Sequence, residues 1–295
     1  MKVSEGNIDL HTHSTASDGS FTPTELVAQA EKIGLAALAL TDHDTVSGIP
    51  EFLEQAEKVE GLTPIVGCEI SINFSNKEIH IVALFIDYKN PQLLEMLDEA
   101  RDNRNKRNEQ IIRKLQSLDF DITMEDVLKV ASGESVGRPH FADVLIRKGY
   151  FTERQEVFDA VLKRGRPAFC HRVLPTLERA LETIHQAGGL AIWAHPVYRK
   201  KNERSYVRKT LRYMSKFEID GVETQYPHYS EYQQQMLKEI ATEMNLLESG
   251  GSDFHGENRP GVELGVGQGN LKIPYSMFEL QKAAADKRKM ALASA

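Results

Sequence analysis

Residues 8–19 read IDLHTHSTASDG, with His11 and His13 one residue apart at the end of an apolar run and Asp18 five residues beyond. In a β-strand, residues i and i+2 project from one face, so two imidazoles at this spacing can address one ion together. A lone His-x-His also arises by chance. Its meaning depends on what else the chain brings to the same place.

Outward from this stretch, short apolar runs alternate with helical patterns, as in a parallel α/β architecture. Asn7 to Leu10 reads as the first strand. Thr22-Pro23-Thr24-Glu25 is a capping box with proline at the first helical position, and Gly34 closes the helix. The rhythm repeats with a strand at 35–40, a helix at 49–59 and a strand starting at Thr63 that carries Cys68 and Glu69. A turn at 75–77 leads into a strand carrying His80. From about 91 to 165 helices follow one another without strong strands. The α/β rhythm then resumes with a helix at 176–187, GGLAIWAHP (188–196), a helix at 206–216, DGVET (220–224), a helix at 231–244 and NLLESGGSDFHG (245–256). The last ten residues read as a helix end or a frayed tail. The expected divisions are 1–90, a helical insertion at 91–165, and 166–295.

Composition narrows the function. The 295 residues carry 36 Lys and Arg against 43 Asp and Glu, a net −7, which excludes a bulk nucleic-acid binder but leaves room for local basic patches. Two cysteines in unrelated contexts, Cys68 and Cys170, fit buried small residues in a reducing compartment rather than a disulfide framework. No apolar stretch is long enough to span a membrane. A cytoplasmic location is therefore the expectation, with no stable protein partner.

Four strand ends terminate in metal-binding residue types: His11-Thr12-His13, Asp42-His43-Asp44, Ala194-His195-Pro196 and Ser252-Asp253-Phe254-His255. Glu69 and His80 lie on strands between them. By the same spacing argument, Asp253 and His255 can share an ion. Burying so many ionisable groups without a metal would be costly, so together they point to a metal centre. Imidazole and carboxylate donors without a thiolate suit manganese first, then zinc or iron. Two such ions about 3.5–4 Å apart can generate a bridging hydroxide at neutral pH and stabilise an in-line displacement at phosphorus. Asp42 and Asp44 are candidates for fixing an imidazole tautomer, and Asp44 equally for a helix N-cap.

Taken jointly, these motifs resemble the PHP (polymerase and histidinol phosphatase) family of metal-dependent phosphoesterases, over roughly 7–87 and 166–269. GRPHFADVL (137–145) most resembles the stand-alone members that act on 3',5'-nucleotide bisphosphates, some of which also digest short RNA from the 5' end. The resemblance implies a distorted (β/α)7 barrel with an inserted helical subdomain and two or three metals. It assigns His11, His13, Glu69 and Asp253 to one ion. Glu69 would bridge to a second ion held with His80 and His195, and Asp18, His43 and His255 would hold a third. His43, Glu69 and Asp253 are expected to carry catalysis. The implied substrate is a small phosphorylated nucleotide or short single-stranded RNA. A histidinol-phosphate-type phosphatase and a non-catalytic metal-binding module are the alternatives.

Anion contacts are sought among basic residues. Residues 199–212 hold seven basic side chains against one acid and begin, with Arg199, four residues past His195. The run is read as a solvated face or, in part, a substrate contact. Arg138 and His140 by the resemblance, and Arg172 beside His171, complete the substrate-binding candidates. The run from Arg101 to Lys114 is read as a solvated helix face or a guide for a nucleic-acid strand. His185 is read as a helix-face residue, and His228 as part of a packed loop.

Overall fold

Thr22 fixes where the first helix begins. Its hydroxyl accepts the Glu25 N–H at 3.1 Å while the Glu25 carboxylate accepts the Thr22 N–H at 2.8 Å, so two donors of the opening turn are satisfied reciprocally. Gly34, at φ +73°, ends that helix in the left-handed conformation. The computed structural model describes residues 7–75, 77–131, 136–197 and 203–294.

β1 (Ile8–Asp9) is followed by α1 (Pro23–Ile33), β2 (Ala37–Leu40), α2 (Ile49–Ala56), β3 (Thr63–Phe74) and β4 (Lys77–Leu84). Helices come next: α3 (Pro91–Gln116), α4 (Met124–Leu128), α5 (Arg138–Arg147), α6 (Arg154–Val157), continued by a π-helical turn at Phe158–Leu162, and α7 (Leu177–Gln186). Then follow β5 (Leu190–Trp193), α8 (Glu203–Met214), β6 (Gly221–Gln225), α9 (Glu231–Glu243), β7 (Leu247–Gly250) and α10 (Tyr275–Ala293).

The seven strands form one mixed sheet in sequence order. β1–β2, β2–β3, β5–β6 and β6–β7 pair parallel, whereas β4 runs antiparallel to both β3 and β5. The all-parallel expectation therefore fails at β4, because the turn near Ser75 is too short for a crossover and returns the chain as a hairpin. Among the described residues no strand ladder closes the sheet into the expected barrel. β1 is only two residues long, and the two edges meet through isolated bonds: Leu10 N–H to Gly250 O at 3.3 Å, Asp253 N–H to His11 O at 2.8 Å, and a bridge between Thr12 and Phe254.

Successive residues of β2 point to opposite faces. Leu38 and Leu40 join the larger apolar cluster beneath α1, α2, α7, α8 and α9, while Ala37 and Ala39 join a second one containing Ile8, Leu190, Ile192, Ile273 and Phe278 of α10. α10 extends well before the ten-residue tail the sequence suggested. A third cluster, including Ile111, Leu115, Phe141, Leu145 and Leu162, packs within the helical stretch between β4 and β5. Cys68 and Cys170 are buried free thiols, as expected.

Candidate metal centre

The strand ends converge. The segment after β1 delivers His11 and His13; the loop after β2 delivers His43; β3 and β4 carry Glu69 and His80; the segments after β5 and β7 deliver His195, Asp253 and His255. Close approach depends on glycine: a Cβ on Gly251 would fall 2.3 Å from the His11 Cβ. Asp44, His195 and Asp253 all take positive φ, at +54°, +30° and +52°, a conformation that non-glycine residues adopt at an energetic cost and that clusters at functional sites.

Glu69 is the hub. Its Oε2 lies 3.2 Å from His11 Nε2, 3.2 Å from His13 Nε2 and 3.0 Å from His43 Nδ1. Its Oε1 lies 2.9 Å from His80 Nδ1 and 3.0 Å from His195 Nε2. Asp253 Oδ1 stands 3.3 Å from His13 Nε2 and 3.7 Å from His11 Nε2. Asp18 Oδ1 meets His255 Nε2 at 3.3 Å, and Asp18 Oδ2 lies 4.0 Å from His43 Nε2.

Three overlapping sets result, each with ligand atoms within 4.8 Å of one another: His11, His13, Glu69 and Asp253; His43, Glu69 and His80; and His13, Asp18, His43 and His255. The sets take in every histidine and acid named as a metal ligand from the sequence except His195, which joins the cluster through Glu69 Oε1 at 3.0 Å. Asp253 and His255 also meet, with Asp253 Oδ1 3.4 Å from His255 Nδ1, although they fall in different sets. Both the His11 and His13 pair and the Asp253 and His255 pair lie past the strands that lead to them, β1 and β7, and Asp253 has positive φ, so their approach rests on the irregular backbone there rather than on strand alternation.

The residues fit a cation. His11 Nε2, both ring nitrogens of His13, His43 Nδ1 and Glu69 Oε2 are buried without a hydrogen-bond partner among the described residues, a costly arrangement that ligation would resolve. Charge points the same way. Burial alone would push the Glu69 carboxyl up, but the imidazoles of His43, His11 and His80 outweigh it and hold it well below the usual carboxylate range. Burial likewise opposes ionisation of Asp253, and Arg259, His11 and His255 overcome it. Burial pushes His43 down to about 4, leaving it a neutral donor. His13 goes the other way: against burial, Asp253 and Glu69 raise it to about 10. Burial pushes the Cys68 thiol well up, so no thiolate joins the set.

The groups that orient these ligands were mostly invisible in the sequence. Glu223, on β6, places one oxygen 2.9 Å from His11 Nδ1 and accepts the His195 N–H at 2.6 Å with the other. Tyr226 donates to Asp253 Oδ2 at 2.7 Å, and Arg259 binds both that oxygen and the Tyr226 hydroxyl. A carboxylate inside the strand DGVET was the one available signal for Glu223. Asp42 does not fix an imidazole: it accepts from Ser14 N–H at 2.7 Å, the Ser14 hydroxyl at 2.6 Å and the Ser17 hydroxyl at 2.5 Å, tying down the loop after His13. Asp44 neither contacts an imidazole by hydrogen bond nor caps α2, whose N-cap is Gly48. Its carboxylate accepts from Ser71 N–H at 2.8 Å, from Arg172 at 2.5 Å and from Arg104.

Three cavities lie over and beside the cluster. One of about 360 Å³ is lined by His43, Glu69, His80, His195, Asp253 and Arg259 among others. A second of about 360 Å³ shares His43 and His80 and adds Arg104, Arg107, Arg138 and Arg172. A third, about 610 Å³, shares Arg107, Arg138 and Arg172 and continues past Lys77, Arg164 and His171.

The remaining sequence candidates scatter. His140 is buried and accepts the Gly137 N–H on Nδ1 at 3.0 Å, closing the first turn of α5, and it lines none of these three cavities. Arg199 lies outside the described residues. The described part of its basic run forms α8, where Arg204 and Arg208 pair with Glu239 and Glu243 on α9. Arg104 and Arg107 of the 101–114 run turn inward and are buried. His185 sits on α7 with Nε2 3.0 Å from Asp220, which also binds Arg288. His228 packs edge-on against Tyr226 at 5.8 Å. Among the described residues no helix is long and apolar enough to cross a membrane.

A family model described as the PHP domain matches residues 9–170. The chain is 40% identical to a 5'-3' exoribonuclease of Haemophilus influenzae, covering 84% of this chain and 89% of the relative. It is 32% identical to a 3',5'-nucleoside bisphosphate phosphatase of Chromobacterium violaceum, covering 88% and 90%. A solved amidohydrolase of Chromobacterium violaceum, with bound sulfate and no metal, superposes with a TM-score of 0.82 at 29% identity, covering 94% of this chain and 96% of that one.

Proposed function

Because the chain belongs to the PHP domain family, we propose that it is a metal-dependent phosphoric ester hydrolase acting on nucleotides such as 3',5'-bisphosphates and on the 5' ends of short RNA. The observation that carries this reading is the shared Glu69 hub, whose unsatisfied buried donors open onto arginine-lined cavities. On this reading His11, His13, Glu69 and Asp253 hold one ion, Glu69 with His80 and His195 a second, and Asp18, His43 and His255 a third. Manganese suits the mixed imidazole and carboxylate donors first, with zinc or iron as substitutes. Bound ions would supply a nucleophile at neutral pH and neutralise phosphoryl oxygens. The chain's own part is to orient: Glu223 and Tyr226 hold His11 and Asp253 in place, and Arg138, Arg172 and Arg199 meet the substrate's phosphates.

Residues 91–165 are proposed as a cap that narrows access and favours chain ends over long duplexes, between barrel parts at 1–90 and 166–295. The isolated bonds between β1 and β7 are read as the seam of a distorted (β/α)7 barrel. A nucleotide substrate is consistent with a cytoplasmic location. The test assays manganese-loaded protein against adenosine 3',5'-bisphosphate, 5'-phosphorylated short RNA, histidinol phosphate and a generic aryl phosphate. Turnover of the first two ahead of the others is expected. No hydrolysis above a metal-stripped control ends the enzyme reading, and a preference for histidinol phosphate redirects it.

A further inference from the structure

Asp44 directly follows His43, yet its hydrogen bonds lead away from the metal centre. Its carboxylate is buried, its backbone sits at φ +54°, and Ser71 holds it through both N–H and hydroxyl, at 2.8 and 3.1 Å. The remaining acceptor capacity goes to two guanidiniums, of Arg104 from α3 and of Arg172 from the segment leading to α7. One carboxylate thus faces two cations. Arg107 and Arg138 line the same cavity as this pair, as does Glu78, 3.9 Å from Arg172. Asp18, also in that lining, is already engaged by His255 and His43. The cavity wall is left with excess positive charge, and the Nε atoms of Arg107 and Arg172 are buried without a hydrogen-bond partner among the described residues. Burial and the neighbouring guanidiniums of Arg104, Arg138 and Arg172 push Arg107 down to about 9, a strain that an incoming anion would relieve.

We propose that Asp44 is a positioning residue that sets Arg104 and Arg172 as a fixed pair to bind a second phosphate of the substrate, apart from the one attacked at the metal centre. This rests on the phosphoesterase reading above. The pair would read either the non-reacting phosphate of a nucleotide bisphosphate or an internucleotide phosphate of short RNA. Planar forks held at their far side by a carboxylate are pre-organised for a tetrahedral oxyanion, so the ordering cost is met before substrate arrives.

The test uses Asp44→Asn and Arg104→Gln in manganese-loaded protein, with kcat, KM and bound manganese measured separately. Substrates are adenosine 3',5'-bisphosphate, 5'-phosphorylated short RNA and an aryl phosphate, which has a single phosphate. Loss of charged hydrogen bonds should lower kcat/KM for the two-phosphate substrates relative to the aryl phosphate by about 10-fold or more, chiefly through KM. A fall confined to the bisphosphate, or to RNA, identifies which phosphate is read. In the double variant the losses should not add, because the carboxylate acts through the guanidinium. A selectivity ratio within about twofold of wild type overturns the proposal, as does a fall that tracks lost manganese, which would place Asp44 behind His43 instead. Arg104→Gln leaves Asp44 paired with Arg172 and so carries the test if Asp44→Asn does not fold. If the wild type hydrolyses none of the three, the phosphoesterase reading fails separately. Calorimetric binding of adenosine 3',5'-bisphosphate to wild type and Arg104→Gln then still decides whether the pair binds an anion, equal affinity refuting it.

Discussion

Replacing Glu223 by glutamine changes no proposed metal ligand, yet it should weaken manganese binding by one to two orders of magnitude. Glu223 is buried and has two donors to satisfy: His11 Nδ1 at 2.9 Å and the His195 N–H at 2.6 Å. A carboxylate accepts from both. That keeps the proton of His11 on Nδ1 and turns the lone pair of Nε2 toward Glu69 and Asp253, 3.2 and 3.7 Å away. A glutamine side chain has only one acceptor oxygen, so one donor faces an NH₂ group. Leaving a buried donor unsatisfied costs about 1–3 kcal/mol. At about 1.4 kcal/mol per tenfold, this corresponds to about 5- to 150-fold, which overlaps the range found for outer-shell partners of metal-ligating histidines. The assay is competition for manganese against a chromogenic chelator, with a thermal melt to show that the variant is folded. A folded Glu223→Gln protein binding manganese within about twofold of wild type refutes the reasoning, because its smallest expected effect lies above that.

Asp253→Asn should reduce both bound manganese and turnover by more than about 100-fold, above the range for outer-shell changes; full retention of both removes Asp253 from the centre. Gly251→Ala should displace His11, since the new Cβ would lie 2.3 Å from the His11 Cβ and 2.6 Å from its backbone nitrogen. A loss of about 1–3 kcal/mol in stability, together with lower metal content, is expected; an unchanged melt and metal content contradicts it. His13, raised to about 10 without metal, is protonated near neutrality and must release that proton to ligate. Manganese uptake at pH 7 should therefore release protons, seen as a calorimetric enthalpy that varies with buffer ionisation heat; no such dependence counts against His13 as a ligand. The sign for the metal-free fold is opposite: a raised histidine stabilises fully below its unfolded value of about 6.5, and that contribution is lost as pH rises toward 10.

Local chemistry made much of this legible in the sequence. The Thr22 capping box, the Gly34 terminus and the apolar strands are determined within a few residues, and they stand where the sequence puts them. The metal-binding residue types at strand ends could be read because only convergence makes sense of so many ionisable groups. What escaped depends on distant partners or on backbone departures from regular structure. The direction of β4 follows from the short gap between Phe74 and Lys77, too short for a crossover, and β3 and β4 pair over eight antiparallel positions. Asp253 and His255 stay within 3.4 Å of each other yet enter different ligand sets, because the chain leaves the strand at Gly250. Asp44 pairs with Arg104 and Arg172, 60 and 128 residues away, contacts no local pattern announces. His140 closes the first turn of α5 by accepting the Gly137 N–H, a local contact that GRPHFADVL did not announce.

The bonds that join the sheet's two edges also bear on how the centre is made. Ser252 donates to Asp9 across 243 residues, and Asp253 N–H reaches His11 O close by. The first ligands to leave a ribosome are thus completed by nearly the last. Contacts of such separation form late, since a long loop must be closed before they repay its entropy. A nascent chain would expose His11 and His13 long before Asp253 exists to join them, so metal capture should coincide with completion of the fold rather than seed it.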